Sequence, residues 1–128
     1  MTQTTLVRAD QTRRITTPNA TMTTLASPTL GASAGLSLWT VEMDAGAHGP
    51  RHVFDSEQLW TVLEGEVSIE ASGATIVLSA GDTLVLPAGA ERQVTATTAA
   101  RLVVCGHGSG QATVAGEGVS RGTPAWIA

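Results

Sequence analysis

The sequence contains no lysine, and its seven arginines are scattered along a chain of 128 residues with a net charge of −4. Without a basic cluster the chain lacks the positive surface that binds a phosphate backbone, which argues against nucleic-acid binding. No apolar run approaches the ~18–20 residues that a membrane-spanning helix needs. Residues 1–5 also lack the basic region and apolar core of a signal peptide. We therefore expect a soluble, cytoplasmic protein with no nucleic-acid or membrane partner.

Cys105 is the single cysteine, so the chain can form neither an internal disulfide nor a thiolate zinc cluster. It ends an apolar segment, and we expect it to be a buried, unreactive thiol. Apolar residues make up 42% of the chain, charged residues 14%, and there are 14 glycines, which is typical of a compact protein rich in turns. The length predicts one domain over residues 1–128.

Short β-prone segments alternate with turn residues through most of the chain, and no segment has helical periodicity. The segment 58–78 is interpreted as an antiparallel meander with turns at Glu64–Gly65 and Ser72–Gly73. Residues 1–35 are expected to add edge strands, and residues 106–128 a tail whose Trp126 docks on the barrel or on a partner subunit. The predicted strands are 5–8, 22–26, 36–43, 58–63, 67–71, 75–78, 83–86, 93–96 and 102–105. Many short strands at this spacing predict an all-β sandwich or barrel.

Two spacing patterns carry a resemblance. The first has a glycine, five residues, a histidine, then a glutamine and, after six more residues, a glycine; the second has a glycine, five residues, Pro-x-Gly and, after two more, an arginine. The matching positions are Gly46, His52, Phe54, Gln58, Gly65, Gly81, Pro87, Gly89 and Arg92. This order resembles the two motifs of the cupin family and implies a jelly-roll-like β-barrel with its core at about 36–105.

In metal-binding cupins, two histidines and a glutamate of the first motif and a histidine of the second converge inside the barrel. Here those positions hold His52, Phe54, Gln58 and Arg92, of which only His52 is a usual ligand. His48 is a candidate replacement: with His52, the Gln58 carbonyl and water it would give a zinc site with three protein ligands. Whether a metal binds stays open at this stage.

Strand alternation places Gln58, Trp60 and Val62 on the inner face and turns Glu57 outward. The opposite set, Leu59, Thr61 and Leu63, is largely apolar, so a second copy of the chain is expected to cover it. Cupins commonly dimerise sheet to sheet, and the resemblance therefore also implies a homodimer.

The leading hypothesis is an isomerase or epimerase that moves a proton on a carbonyl or carboxylic acid substrate. His52 would be the base and Arg92 would face the developing negative charge. Trp60, Phe54 and Gln58 would complete the substrate pocket. The resemblance to small cupin epimerases and cyclases implies a role in bacterial secondary metabolism such as antibiotic biosynthesis.

Two alternatives remain. The first is a non-catalytic cupin that binds a small apolar acid. The second, an iron-dependent dioxygenase, is disfavoured because the motif positions provide no set of two histidines and one carboxylate. Arg92 could also pair with a carboxylate of the protein itself, with Glu91, Asp55 and Glu57 as candidates. His107, outside both motifs, is expected at the surface.

Overall fold

The computed structural model describes residues 3–128, which form two antiparallel sheets that face each other. A short 3-10 helix, Ala9–Gln11, precedes the first strand. The strands are β1 (Arg13–Thr16), β2 (Thr21–Ala26), β3 (Leu36–Met43), β4 (His52–Phe54), β5 (Gln58–Glu64), β6 (Glu66–Ala71), β7 (Ala74–Ser79), β8 (Thr83–Leu86), β9 (Arg92–Ala96), β10 (Ala100–His107) and β11 (Ala112–Val114). The first sheet has the order β1-β2-β3-β10-β5-β8 and the second the order β11-β4-β9-β6-β7. The predicted all-β, jelly-roll-like fold is confirmed.

The core lies between the two sheets because most strands alternate between buried and exposed side chains. In β10, for example, Leu102 and Val104 are fully buried, and in β6 Val67 and Ile69 are. Burying these apolar side chains against the opposite sheet is the main stabilising contribution to such a fold.

Two details of the predicted topology are wrong. Residues 5–8 form no strand; the edge position beside β2 is taken by β1. The stretch 58–78 is not a meander, because β5 pairs with β10 and β8 whereas β6 pairs with β7 and β9. The chain therefore crosses from one sheet to the other at Gly65, and within residues 58–78 only β6 and β7 form a hairpin.

An apolar row crosses the outer face of the first sheet. Strand registers place Cys105 beside both Leu38 and Leu59, and Leu59 beside Val85. Leu59 is 40% exposed and Val85 is 55% exposed. The expectation of a buried Cys105 is wrong: its neighbour Val104 faces the core, so Cys105 faces outward and is only half-buried.

The C-terminal segment packs against the barrel. Ile127 is fully buried and Trp126 is half-buried, as expected for a docked tail. The Thr24 hydroxyl of β2 donates a hydrogen bond of 2.5 Å to the Trp126 carbonyl, and the Ser27 hydroxyl donates one of 2.8 Å to the Ala128 carbonyl. Among residues 3–128, no helix is long and apolar enough to cross a membrane.

Candidate functional site

A cavity of about 380 Å³ opens between the inner faces of the two sheets. Its walls are mostly apolar, and all three tryptophans of the chain, Trp39, Trp60 and Trp126, lie on them. Among the residues singled out from the sequence, His52, Phe54 and Gln58 also line it. A concave, mainly apolar cavity with a few polar groups is the usual form of a small-molecule site.

Gln58 is the polar centre of the inner wall and is only 2% exposed. Its Oε1 accepts two hydrogen bonds, from Nε1 of Trp60 at 3.1 Å and from Nη1 of Arg92 at 3.0 Å. Both partners can only donate, so the amide must present its oxygen to them. The Gln58 Nε2 group makes no hydrogen bond within residues 3–128. It is not among the fully buried side-chain atoms, so it keeps some accessible surface. The cavity is therefore offered a hydrogen-bond donor.

Arg92 is fully buried, with no exposed surface. Its Nε donates to the Ala90 carbonyl at 2.9 Å, and its guanidinium carbon lies 5.4 Å from the centre of the Phe54 ring. Nη2 has no hydrogen-bond partner within the described residues. Burial lowers the pKa of Arg92 to about 10, so the side chain still carries its charge at neutral pH. Arg92 is a buried cation held by neutral groups.

None of the three carboxylates considered as partners reaches Arg92. Glu91 lies 3.8 Å from Arg51, Asp55 accepts a hydrogen bond from the backbone N–H of Gln111, and Glu57 is exposed. Arg92 also does not line the cavity but lies behind Gln58 and Phe54. Arg92, which was expected to contact a substrate directly, is thus separated from the cavity wall, and its hydrogen-bond partner Gln58 lines the cavity.

His52 lies on β4 directly opposite Arg92 on β9, so both side chains point to the inner face. Its Nδ1 is 2.8 Å from the Pro50 carbonyl, which can only accept, so Nδ1 carries a proton. In the neutral ring the lone pair is therefore on Nε2. Burial is the main reason that the pKa of His52 is lowered, and the charge of Arg92 lowers it further against the effect of the Pro50 hydrogen bond. The neutral, basic form is thus favoured.

The structure does not assemble the zinc ligands considered from the sequence. His48 is exposed, is absent from the cavity wall, and pairs with Thr95, an outward-facing position of β9. The Gln58 oxygen is occupied by its two donors. Within residues 3–128, no three His, Cys, Asp or Glu side chains are grouped closely enough to hold a metal ion. Cupins often bind a metal, but the donor set of this cavity does not fit one.

The mouth of the cavity contains residues that the sequence reasoning missed. Arg121 lies on the wall beside Trp126, and its guanidinium forms a two-point ion pair with the exposed Glu117, with Nε 2.9 Å from Oε2. Asn19, from the β1–β2 turn, lies on the same wall. Only the indole of Trp126 could have been anticipated; the Gly-rich surroundings of Arg121 carry no periodicity that indicates its position. His107 is exposed, as expected.

Comparison with known families finds a match to the model described as the cupin domain, over residues 39–106. The match covers more than half of the chain and includes β3 from Trp39 onward, β4 to β9 and most of β10. No curated protein matches this sequence.

Solved structures share the fold at low sequence identity. An RmlC-like cupin from Shewanella frigidimarina has a TM-score of 0.68 and 23% identity over 80% of this chain and 88% of that one. A sugar phosphate isomerase from Silicibacter pomeroyi, from a cupin superfamily, has a TM-score of 0.63 and 20% identity over 77% and 68%. Salicylate 1,2-dioxygenase from Pseudoaminobacter salicylatoxidans has a TM-score of 0.71 and 18% identity over 82% of this chain but 31% of its own. Proteins of different chemistry share this barrel, so the function has to be argued from the site.

Proposed function

The chain belongs to the cupin family, and from this premise we propose that its cavity binds a small, largely apolar carbonyl compound or carboxylic acid and moves a proton on it, as an isomerase or epimerase does. The observation that carries the proposal is that two groups line the same cavity from its two facing sheets. His52 on β4 is a neutral histidine with its lone pair on Nε2, and the Gln58 amide on β5 is hydrogen-bonded to the buried Arg92 cation. Proton abstraction next to a carbonyl requires these two elements.

Each residue has a defined part. His52 Nε2 takes the proton from the carbon beside the carbonyl or carboxyl group. It delivers that proton to a different carbon of the enolate in an isomerisation, or to the opposite face of the planar enolate, once the enolate has turned in the cavity, in an epimerisation. The Gln58 Nε2–H group donates to the oxygen on which negative charge develops. Arg92 is a positioning residue, because its hydrogen bond fixes the Gln58 amide and its charge stabilises the anion from behind. The Trp and Phe side chains exclude water, which strengthens these interactions.

Solvent exchange tests the proposal directly. A panel of 2-keto acids and aryl ketones is incubated with the protein in D₂O, and deuterium at the α-carbon is followed by NMR. We expect exchange that falls at least 100-fold in His52→Ala, since a general base contributes roughly 10²–10⁴-fold. His48→Ala is the matched control, because His48 is an exposed histidine outside the cavity. Equal exchange by the wild type and His52→Ala would show that His52 is not the base.

A non-catalytic binding protein is the second candidate. It is favoured by one observation: three tryptophans and Phe54 surround few polar groups, as in a site that only retains an apolar ligand. Because every tryptophan lies on the cavity wall, indole fluorescence reports occupancy. A ligand that changes this fluorescence saturably while no panel member exchanges deuterium would identify a binding module. Homodimerisation and a place in secondary metabolism remain part of the proposal.

A further inference from the structure

We infer that the Arg92 guanidinium takes the place of a metal ion in this cavity and makes it a metal-independent site for small aromatic or apolar carboxylates, held through the Gln58 amide. The inference concerns the cavity of the proposed function and names its ligand class. It does not require that any proton be transferred.

The positive charge of this site belongs to Arg92. Arg92 occupies the place in the second motif at which metal-binding relatives provide a ligand, and its Nη1 bonds to the side chain at the carboxylate position of the first motif. Phe54, at the second histidine position, lies under the guanidinium at 5.4 Å. At three of the four ligand positions, Arg92 therefore contacts both Gln58 and Phe54. These three side chains provide no set of atoms that could coordinate a metal ion. A cation is still present, but it is covalently part of the chain.

Within residues 3–128, Arg92 hydrogen-bonds to no anionic group. Burying a guanidinium is unfavourable unless an anion pairs with it, yet Arg92 bonds only to a carbonyl and an amide oxygen, and Nη2 is unpartnered within residues 3–128. A ligand carboxylate in the cavity would supply the negative charge. The carboxylate would lie on the far side of the Gln58 amide from Arg92. In apolar surroundings it would still be attracted to the guanidinium.

The Gln58 amide is the group that would hold the ligand carboxylate. Because Arg92 and Trp60 both donate to Oε1, the Gln58 Nε2 group faces the cavity as a donor and cannot flip without losing two hydrogen bonds. A carboxylate accepts from this donor, whereas an ammonium group cannot. The indole rings and Phe54 around it fit a flat apolar body.

Benzoate and benzamide form a matched pair of probes, since they share a ring and a similar shape and differ in charge. Each is titrated at pH 7.5 while indole fluorescence is recorded, with EDTA and then with added Zn²⁺. We expect the wild type to bind benzoate roughly tenfold or more tightly than benzamide, with no effect of EDTA or Zn²⁺. In Arg92→Met this preference for benzoate should disappear, while Arg101→Met, which removes a partly exposed arginine outside the cavity, should keep it.

Several results would overturn the inference. Benzamide binding as tightly as benzoate to the wild type would remove the role of the charge, and this comparison needs no variant to fold. Benzoate binding lost in EDTA and restored by Zn²⁺, or stoichiometric zinc by elemental analysis that His52→Ala removes, would restore a metal to the site. The two proposals fail separately: benzoate can bind as expected while no keto acid exchanges deuterium, and exchange can occur without a charge preference.

Discussion

His52 shows how one residue depends on its surroundings. The Pro50 carbonyl fixes the proton on Nδ1, and burial together with the Arg92 charge lowers the pKa of the ring. His48, by contrast, is exposed and does not line the cavity. The same residue type at two positions four residues apart therefore has different surroundings: His52 lies on β4 and lines the cavity, whereas His48 precedes β4 and forms an isolated bridge with Thr95.

The lowered pKa of His52 predicts how stability varies with pH. The unfolded chain takes up a proton on this ring near pH 6.5, whereas the native state resists it. The contribution of His52 to the free energy of unfolding should therefore be constant above pH 6.5 and should decrease as the pH falls below 6.5. Urea unfolding should show that, between pH 7.5 and pH 5.5, His52→Asn loses less free energy of unfolding than the wild type does. The difference should be less than ~1.4 kcal/mol per pH unit, the limit for one proton. A loss in His52→Asn equal to that of the wild type would contradict the assignment.

At this scale the family spacing predicts that residues 52, 58 and 92 share the barrel interior, and the structure places them there. What the spacing could not give is the hydrogen-bonding pattern: the Gln58 oxygen is occupied from two sides, and Arg92 is one layer behind the cavity. These features depend on side-chain rotamers and on Trp60, which no motif includes. The wall formed by Trp126 and Arg121 comes from a segment without periodicity.

At the scale of elements, local pattern predicts strands better than it predicts their partners. Alternation and flanking turn residues give β3 and β8 with the bounds observed. The partners of β5 are β10 and β8, and the residues of 58–64 do not indicate either pairing. The change of sheet at Gly65 therefore appeared in the sequence as an ordinary hairpin turn.

Gly65 and Gly73 provide a matched test of this crossing. Both have φ +82°, which costs a non-glycine residue about 1–2 kcal/mol. A Cβ at Gly73 would meet nothing within 4 Å, whereas one at Gly65 would lie 2.2 Å from the Ala99 carbonyl oxygen. Urea unfolding should thus show a modest loss for Gly73→Ala and a loss larger by about 2 kcal/mol or more for Gly65→Ala, in the range of severe backbone and packing defects. Similar losses in the two variants would mean that the crossing is not tightly packed against β10.

For the whole molecule, the outer face of the first sheet is the least explained surface. Its apolar row, Leu38, Cys105, Leu59 and Val85, runs across four adjacent strands, whereas the exposed Val77 stands on β7, at the edge of the second sheet. Contiguous exposed apolar surface of this kind marks association sites more often than free surface. A second copy of the chain, related by a two-fold axis, could bury the row against itself.

The resulting prediction is a dimer that one charge can break. Light scattering after size exclusion should give twice the 13.1 kDa chain mass for the wild type. Leu59→Glu should give the monomer, because the glutamate would be buried without a partner in the interface. Val77→Glu introduces the same charge at a similarly exposed valine of the other sheet and should leave the dimer intact. Since Leu59 is adjacent to Gln58 but on the opposite face of β5, circular dichroism and the benzoate titration show whether the monomer keeps its barrel and cavity. A wild-type monomer, or dissociation by Val77→Glu rather than Leu59→Glu, would assign the apolar row a different role.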